Sequence, residues 1–301
     1  MNRSTVALIP AGGTINSLPG GAPSPKALFP VNGRPLLDYI VQAAEQSSIE
    51  KIFIIQDPGV DLLPHLSPAG KVVILEKGRD ILSPGAGFTD ALRKIARYYG
   101  KEGIKSKNIM LIPCDIPAVT ASMIDELVPR ASRSKADVIF TVVPSQLVEQ
   151  KFPHKRFYKF YLADKKGWFT SPFVYFINGE YFRFFPGHSP DSEFITVRDY
   201  DEARLKSFES LLNSIDSMRK DFGFTFKFFV RWILQDCNFF TILKTLIISQ
   251  CKKMTVEKFT ALDYQIFKDH IEVIENLEPA FCGDIDKPED VPAVFGDLMQ
   301  T

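Results

Sequence analysis

Residues Val6 to Pro35 read VALIPAGGTINSLPGGAPSPKALFPVNGRP. The stretch supplies, in order, an apolar strand, a glycine-bearing loop, one lysine and a helix start, an arrangement suited to holding a phosphate chain. Val6 to Ile9 form an apolar run of strand type, closed by Pro10 and Ala11. Gly12 and Gly13 follow, so the backbone can turn where side chains would collide with a ligand, and amides in such a loop point at anionic oxygens. The aperiodic segment through Pro19, Gly20, Gly21, Pro23, Ser24 and Pro25 delivers Lys26, a compact cation with a long reach, to an apolar shelf at Ala27 to Val31. Asn32 and Gly33 make a turn, and Pro35 sits at a first helical position, where its missing donor is harmless. Neither GxGxxG nor GxxxxGK[ST] is present, which sets aside the dinucleotide and P-loop solutions to phosphate binding.

Downstream, strand and helix signals alternate. The pattern predicts a helix over Pro35 to Gln46, with Leu36, Leu37, Ile40, Val41 and Ala44 on one side, and strands at Lys51 to Gln56 and Lys71 to Leu75. It then predicts a helix over Phe88 to Tyr99, a strand at Asn108 to Pro113 ending at Cys114 and Asp115, a helix capped by Thr120 and reaching Arg133, and a strand at Asp137 to Val143. Such alternation implies an α/β fold with a mostly parallel sheet covered on both faces. Ligands of open sheets sit beyond the carboxyl ends of the strands, where Gly12, Gly13 and Asp115 all fall. Gly85 and Gly87 lie just before the Phe88 helix. Phenylalanine and tyrosine then crowd Phe152 to Phe185, with strands expected at Arg156 to Ala163 and Phe173 to Ile177, joined through Asp164 to Gly167; these aromatics read first as core. Asp199 to Asp216, Thr225 to Cys237, Phe240 to Cys251 and Val256 to Gln265 read as helices. The expected division is a core over 1–198, a helical subdomain or cap over 199–275, and a return to the core over 276–301.

Composition narrows the function classes. The 36 basic residues balance 36 acidic ones, which argues against a nucleic-acid partner and leaves a small anionic ligand open. The four cysteines form no CxxC pair, which argues against zinc or a disulfide framework and for a reducing cytoplasm. The first apolar run is too short for a signal peptide, and Phe222 to Ser249 is broken by Lys227, Arg231, Asp236 and Lys244, so no transmembrane segment is expected. His65, His154, His188 and His270 read as surface or structural residues.

As a whole, Leu8 to Tyr39 resembles the opening of the MobA-like nucleotidyltransferases. There a strand leads into AGG, a loop, PK and a version of L-x-P-V-x-G-R-P-L-L-x-Y. Here AGG is Ala11 to Gly13, PK is Pro25 with Lys26, and FPVNGRPLLDY is Phe29 to Tyr39. Near the other end, DIDKPED within Phe281 to Phe295 is similar to the family's closing D-x-D-x-P-E-D-L. A helix start with acids near its positive end explains Pro288, Glu289 and Asp290. Asp284 and Asp286 remain for chemistry.

The resemblance implies a Rossmann-like, GT-A-type sheet, a smaller aromatic-rich β part on the acceptor side, and a helical addition. It implies a transferase that moves a nucleoside monophosphate from a nucleoside triphosphate to a small phosphorylated acceptor and releases pyrophosphate. Lys26 would stabilise the α-phosphoryl oxygens, and Asp115 and Asp286, with Asp284 nearby, would hold Mg2+ or Mn2+. Pro10, Ala11, Gly12, Gly13, Lys26, Gly85 and Gly87 would bind the nucleotide, the amides of Ala11 to Gly13 cradling it. A homodimer is compatible with the reading. Family members commonly carry an arginine a few residues after AGG; Ser17 and Leu18 stand there instead, and Arg34 and Arg79 are the candidates to compensate. Two alternatives stay open at this point, a non-catalytic nucleotide-binding or regulatory module of the same fold and a GT-A glycosyltransferase using DID as its metal motif. The Pro25-Lys26 element disfavours the latter.

Overall fold

The structure, a computed structural model, describes residues 3–15, 24–67, 70–78, 84–155, 157, 159–162, 164–172, 174–186, 193–197, 256 and 270–296. Strand β1 (Ser4–Pro10) lies in the interior of the main sheet, and its apolar run is explained by what lies on each face. Val6 and Leu8 pack with Phe53, Ala91, Leu92 and Ile95 on one side, whereas Ala7 and Ile9 pack with Leu37, Ile40, Val41, Met110 and Ile124 on the other. A strand buried on both faces has no polar side to show, so it reads as continuous rather than alternating.

Strands β2 (Ile52–Gln56) and β3 (Val72–Glu76) continue the sheet in parallel on one side of β1, and β4 (Lys107–Leu111) pairs in parallel on the other. Leu8 is thereby in register with both Phe53 and Leu111. Helices α1 (Leu36–Gln46) and α3 (Ala121–Arg133) cover one face, and α2 (Pro84–Lys105) covers the other. The second half of the sheet is mixed. Strand β5 (Val138–Pro144) is followed by helix α4 (Ser145–Lys151), by a hairpin of β6 (Phe160–Leu162) and β7 (Gly167–Thr170), and by β8 (Tyr175–Asn178), which runs antiparallel between β4 and β5. Strand β9 (Ile271–Glu275) lies parallel beside β5, completing nine strands, and α5 (Val291–Phe295) follows it. The carboxyl ends of β1, β2, β3, β4, β5 and β9 therefore share one edge of the sheet.

Several expectations need correction. The Asp164 to Gly167 turn does not lead to the strand at Tyr175; it folds β6 back onto β7, with Lys166 in the left-handed region at φ 51°. Helix α2 begins at Pro84 rather than Phe88 and runs past a break at Gly100 (φ 70°), so Gly85 and Gly87 lie inside its opening turns. Thr120 stands at the start of α3, but its hydroxyl contacts Ser122 instead of capping a backbone amide. Helix α4 was not anticipated, since Ser145 and Val148 alone bury too little to make a periodic signal. Residues 271–275, expected inside the helical unit, form a core strand. The helices expected at 199–216, 225–237, 240–251 and 256–265 lie outside the described residues apart from Val256. Among the described residues no helix is long and apolar enough to cross a membrane.

Candidate active site

The glycine loop is built onto the end of β1. Ala11 extends the sheet by one residue, its amide donating to the Ile55 carbonyl at 2.9 Å. That amide is therefore engaged and does not face a ligand, which corrects the expectation that Ala11, Gly12 and Gly13 present three amides in a row. Gly13 adopts φ 92°, a conformation that side chains resist. Its carbonyl accepts the Lys26 amide at 2.9 Å, and Thr14–Ile15 pairs antiparallel with Ser24–Pro25. The loop is thus pinched at its base, and Lys26 is returned to the root from which the chain left the sheet.

From that root the Lys26 ammonium reaches two carboxylates at once, hydrogen bonding to Asp115 and, at 2.8 Å, to Asp286. Asp115 comes from the adjacent strand, beyond β4, where the Ile112 amide still holds to Leu8 of β1 at 3.0 Å. Asp286 comes from the far end of the described chain. What carries it there is a backbone tie, the Ile285 amide donating to the Asp115 carbonyl at 2.8 Å, while the Ile285 side chain is fully buried. With Ile285 pointing into the core, Asp284 and Asp286 turn the other way, toward Asp115. The three acids offer oxygens that lie within 4.8 Å of one another.

Two further groups hold this acidic loop. Lys155, with only 8% of its side chain exposed, donates to the Asp284 carbonyl, pairs with the Asp284 carboxylate at 2.8 Å and lies 3.8 Å from Asp290. The Asp290 carboxylate accepts the amides of Asp286 at 2.9 Å and Lys287 at 3.2 Å. Pro288, Glu289 and Asp290 do start a helical turn, as the sequence suggests, but Asp290 also fixes the loop that carries Asp284 and Asp286. Nothing in the sequence marks Lys155 for this part, because its partner lies 129 residues away.

The electrostatics follow from burial. Burial works against the Lys26 ammonium, but the two aspartates outweigh it, and its pKa is raised well above the ordinary lysine value. Burial pushes the Asp115 carboxyl up, and the Lys26 charge beside it pulls it back. Cys114, next in the chain, is pushed up to about 12 by burial and by the Asp115 charge. Three hard oxygen donors on one patch fit a hard divalent ion, which takes one or two protein carboxylates together with water and phosphate oxygens.

Along the same edge, Asp57 after β2 pairs with Lys77 after β3 at 2.5 Å. A Cβ on Gly12 would lie 3.2 Å from the Asp57 carboxylate, and one on Gly87 would lie 2.9 Å from the Lys77 side chain. Gly12 and Gly87 thus flank one ion pair, with Gly85 in the opening turn of the same helix. Asp57 and Lys77 were not singled out from the sequence, although both follow strands at the ligand-bearing edge. Arg34 is occupied elsewhere, paired with Asp38 at 2.8 Å and lying 4.4 Å over the Tyr39 ring. Ser17, Leu18 and Arg79 fall outside the described residues.

Residues 7–168 match the MobA-like NTP transferase domain. Among solved structures, a hypothetical transferase from Thermus thermophilus is similar with a TM-score of 0.61 at 17% identity, over 96% of this chain and 99% of that one. A CMP:2-keto-3-deoxy-manno-octonic acid synthetase complexed with CTP is similar at TM-score 0.50 and 13% identity, over 99% of each chain. The 4-diphosphocytidyl-2C-methyl-D-erythritol synthase of Anaerococcus prevotii DSM 20548 is similar at TM-score 0.52 and 9% identity, over 99% of this chain and 100% of that one. At these identities the likenesses establish the fold.

Proposed function

Since the chain belongs to the MobA-like NTP transferase family and is thereby a nucleotidyltransferase, we propose that it transfers a nucleoside monophosphate from a nucleoside triphosphate to a small phosphate-bearing acceptor. Magnesium, or manganese in its place, would be the cofactor and pyrophosphate the by-product. The observation that carries the reading is the meeting of Lys26, Asp115 and Asp286, residues from the start, middle and close of the chain, at the ligand-bearing edge of the sheet.

In this reading an acceptor phosphate oxygen attacks the α-phosphorus in line with the departing pyrophosphate. The acceptor is already an anion, so neither a covalent intermediate nor a strong base is needed. What the protein contributes is position and charge. Lys26, whose raised pKa keeps it charged at any physiological pH, stabilises the α-phosphoryl oxygens as charge moves toward the leaving group. The open space at Gly13 would take the phosphates, with Gly12 next to it against Asp57, and Gly85 and Gly87 in the opening turns of α2 would lie beside the nucleoside, Gly87 under the Lys77 stem. Asp115 and Asp286 would hold the ion, with Asp284 close by but shared with Lys155. An ion held there would supply positive charge to offset that of the phosphates. The buried, unpaired thiols of Cys114 and Cys282 support a reducing, cytoplasmic setting.

The test is pyrophosphate release, measured for each of CTP, GTP, ATP and UTP against a panel of phosphorylated sugars, alcohols and pterins, with and without Mg2+. The reading expects magnesium-dependent release with one nucleotide strongly preferred. Nucleotide binding without turnover across the whole panel would contradict it.

A further inference from the structure

The Lys26 ammonium is turned onto the acids. It is bonded at once to Asp115 and Asp286, with 12% of its side chain exposed. These are the carboxylates that, with Asp284, bring their oxygens within 4.8 Å of one another. An ammonium and a divalent ion would therefore claim the same oxygens. We propose that Lys26 is a displaceable counter-ion that holds Asp115 and Asp286 together in the free protein, keeps a bare divalent ion off them, and gives way when a triphosphate arrives to take its charge. The inference rests on the metal-and-triphosphate reading above and adds an order of events to it: metal enters with the nucleotide, not before it.

The charge balance around the acids supports this. Asp115, Asp284, Asp286 and Asp290 are faced by Lys26 and Lys155. Lys155 attends to Asp284 and Asp290, so it need not move for an ion to reach Asp115 and Asp286. Lys26 must move, because a dication against a carboxylate oxygen would sit within a few ångströms of the ammonium, and like charges at that separation repel strongly where water is scarce. Once Lys26 has left, its charge no longer opposes a divalent ion at Asp115 and Asp286, and the ammonium gains the phosphate oxygens instead.

The geometry also shows how the exchange can be short. The Lys26 backbone is fixed, its amide bonded to the Gly13 carbonyl at 2.9 Å on the glycine loop itself. Only the four-carbon stem has to swing, and a lysine stem is flexible enough to do so while its root stays in place. One cation thus serves the acids in the free protein and the phosphates in the complex. By linkage, triphosphate must then tighten metal binding by the same factor by which metal tightens triphosphate binding.

The experiment is Mn2+ binding to the full chain by equilibrium dialysis, with and without inorganic triphosphate on both sides of the membrane, counting the excess metal on the protein side so that Mn2+ held by triphosphate in solution cancels. Mn2+ alone should bind wild type weakly and Lys26→Met roughly tenfold or more tightly, within the usual range of coupling between sites. Adding triphosphate should tighten Mn2+ on wild type far more than on the variant. Should Lys26→Met fail to fold, Lys26→Gln removes the charge but keeps an amide able to bond the same acids, and the same gain is expected of it. Equal Mn2+ affinity of wild type and the neutral variants without triphosphate would overturn the counter-ion role and leave the metal site standing. No Mn2+ on any of the proteins, even with triphosphate, would overturn both.

Discussion

Gly283→Ala adds a single methyl where Phe152 already stands. A Cβ on Gly283 would lie 2.6 Å from Phe152 Cζ, 3.2 Å from its Cε1 and 3.3 Å from the Ala280 carbonyl oxygen. The backbone itself does not object, since Gly283 has φ −83° and ψ 59°. Carbon atoms settle at about 3.5–4.0 Å, so ring or loop must give by about 1 Å. Phe152 is fully buried and packs in a cluster with Val143, Val148, Cys282, Ile285 and Phe295, so the ring cannot yield without opening that cluster. Part of the displacement passes to the loop that carries Asp284 and Asp286.

Overpacking of this kind costs about 1–3 kcal/mol, read as a lower melting temperature. The functional effect should be larger than the loss of stability suggests, because a misplacement of about 1 Å in a positioning group is worth up to about a hundredfold in rate. Thermal melts, Mn2+ titration in the presence of triphosphate, and turnover measured on Gly283→Ala, Phe152→Leu and the double variant form a cycle. The smaller leucine should relieve the clash, so the double variant should recover metal affinity relative to Gly283→Ala. Wild-type stability and metal affinity in Gly283→Ala, or a double variant no better than the single one, would refute the claim that Phe152 sets the position of the acidic loop.

Asp115→Asn and Asp286→Asn should each fold and lose on the order of a hundredfold or more in kcat at saturating Mg2+, the scale seen when one preorganised charge is removed from a reacting site; near-wild-type turnover in either would take that residue out of the chemistry. Removing Lys26 should destabilise the protein in a pH-dependent way. Its raised pKa means that its ion pairs contribute fully below the ordinary lysine value of 10.5 and are lost only as pH rises through the still higher folded value. In Lys26→Met, Asp115 keeps its burial but loses its main counter-charge, so its folded pKa moves further up and stability falls as pH rises through it. The stability gap between wild type and variant should therefore widen as pH rises above the ordinary carboxylate range, toward about 3 kcal/mol for a buried pair broken from one side, and a gap independent of pH would count against the pairing. Cys114 should resist iodoacetamide in the native protein at pH 8, since its thiol is buried and pushed up to about 12. Rapid alkylation mapped to its peptide would show that the end of β4 is open.

How much of this was legible depended on whether the information was local. The strand, the glycines and the helix start of Val6 to Pro35 announce themselves because a strand buried on both faces is apolar throughout and a tight turn needs glycine. Asp115 is visible by its place after a strand, and Asp286 by the one feature of DIDKPED that a helix start does not explain. The alternation of acid, isoleucine, acid in that motif has a physical meaning the sequence only hints at. Ile285 anchors the loop in the core and so faces both aspartates toward the site.

Non-local partners were not legible. Lys155 and Asp284 are joined across 129 positions, and no spacing rule relates them. The Ala11 amide reads as one of three in a phosphate-binding loop until the parallel neighbour β2 claims it. Strand β9 is hidden in the sequence because Ile271–Glu275 falls within the 199–275 unit expected to be helical, and its role is set by β5, more than a hundred residues earlier. Asp57 and Lys77 each look like ordinary surface charges. Only their meeting beside Gly12 and Gly87 sets them together at the same edge of the sheet as Lys26 and Asp115.

Where a metal and a triphosphate settle when both are supplied tests the joint role of Lys26, Asp115 and Asp286 most directly. Crystals grown with Mn2+ and a nucleoside triphosphate carrying a methylene bridge between its α and β phosphorus atoms would locate the ion by anomalous scattering. The predicted result is a peak at about 2.2 Å from carboxylate oxygens of both Asp115 and Asp286, with the Lys26 ammonium moved onto the α-phosphate. A manganese peak held by other residues, or a bound triphosphate with Lys26 still bridging Asp115 and Asp286, would contradict it.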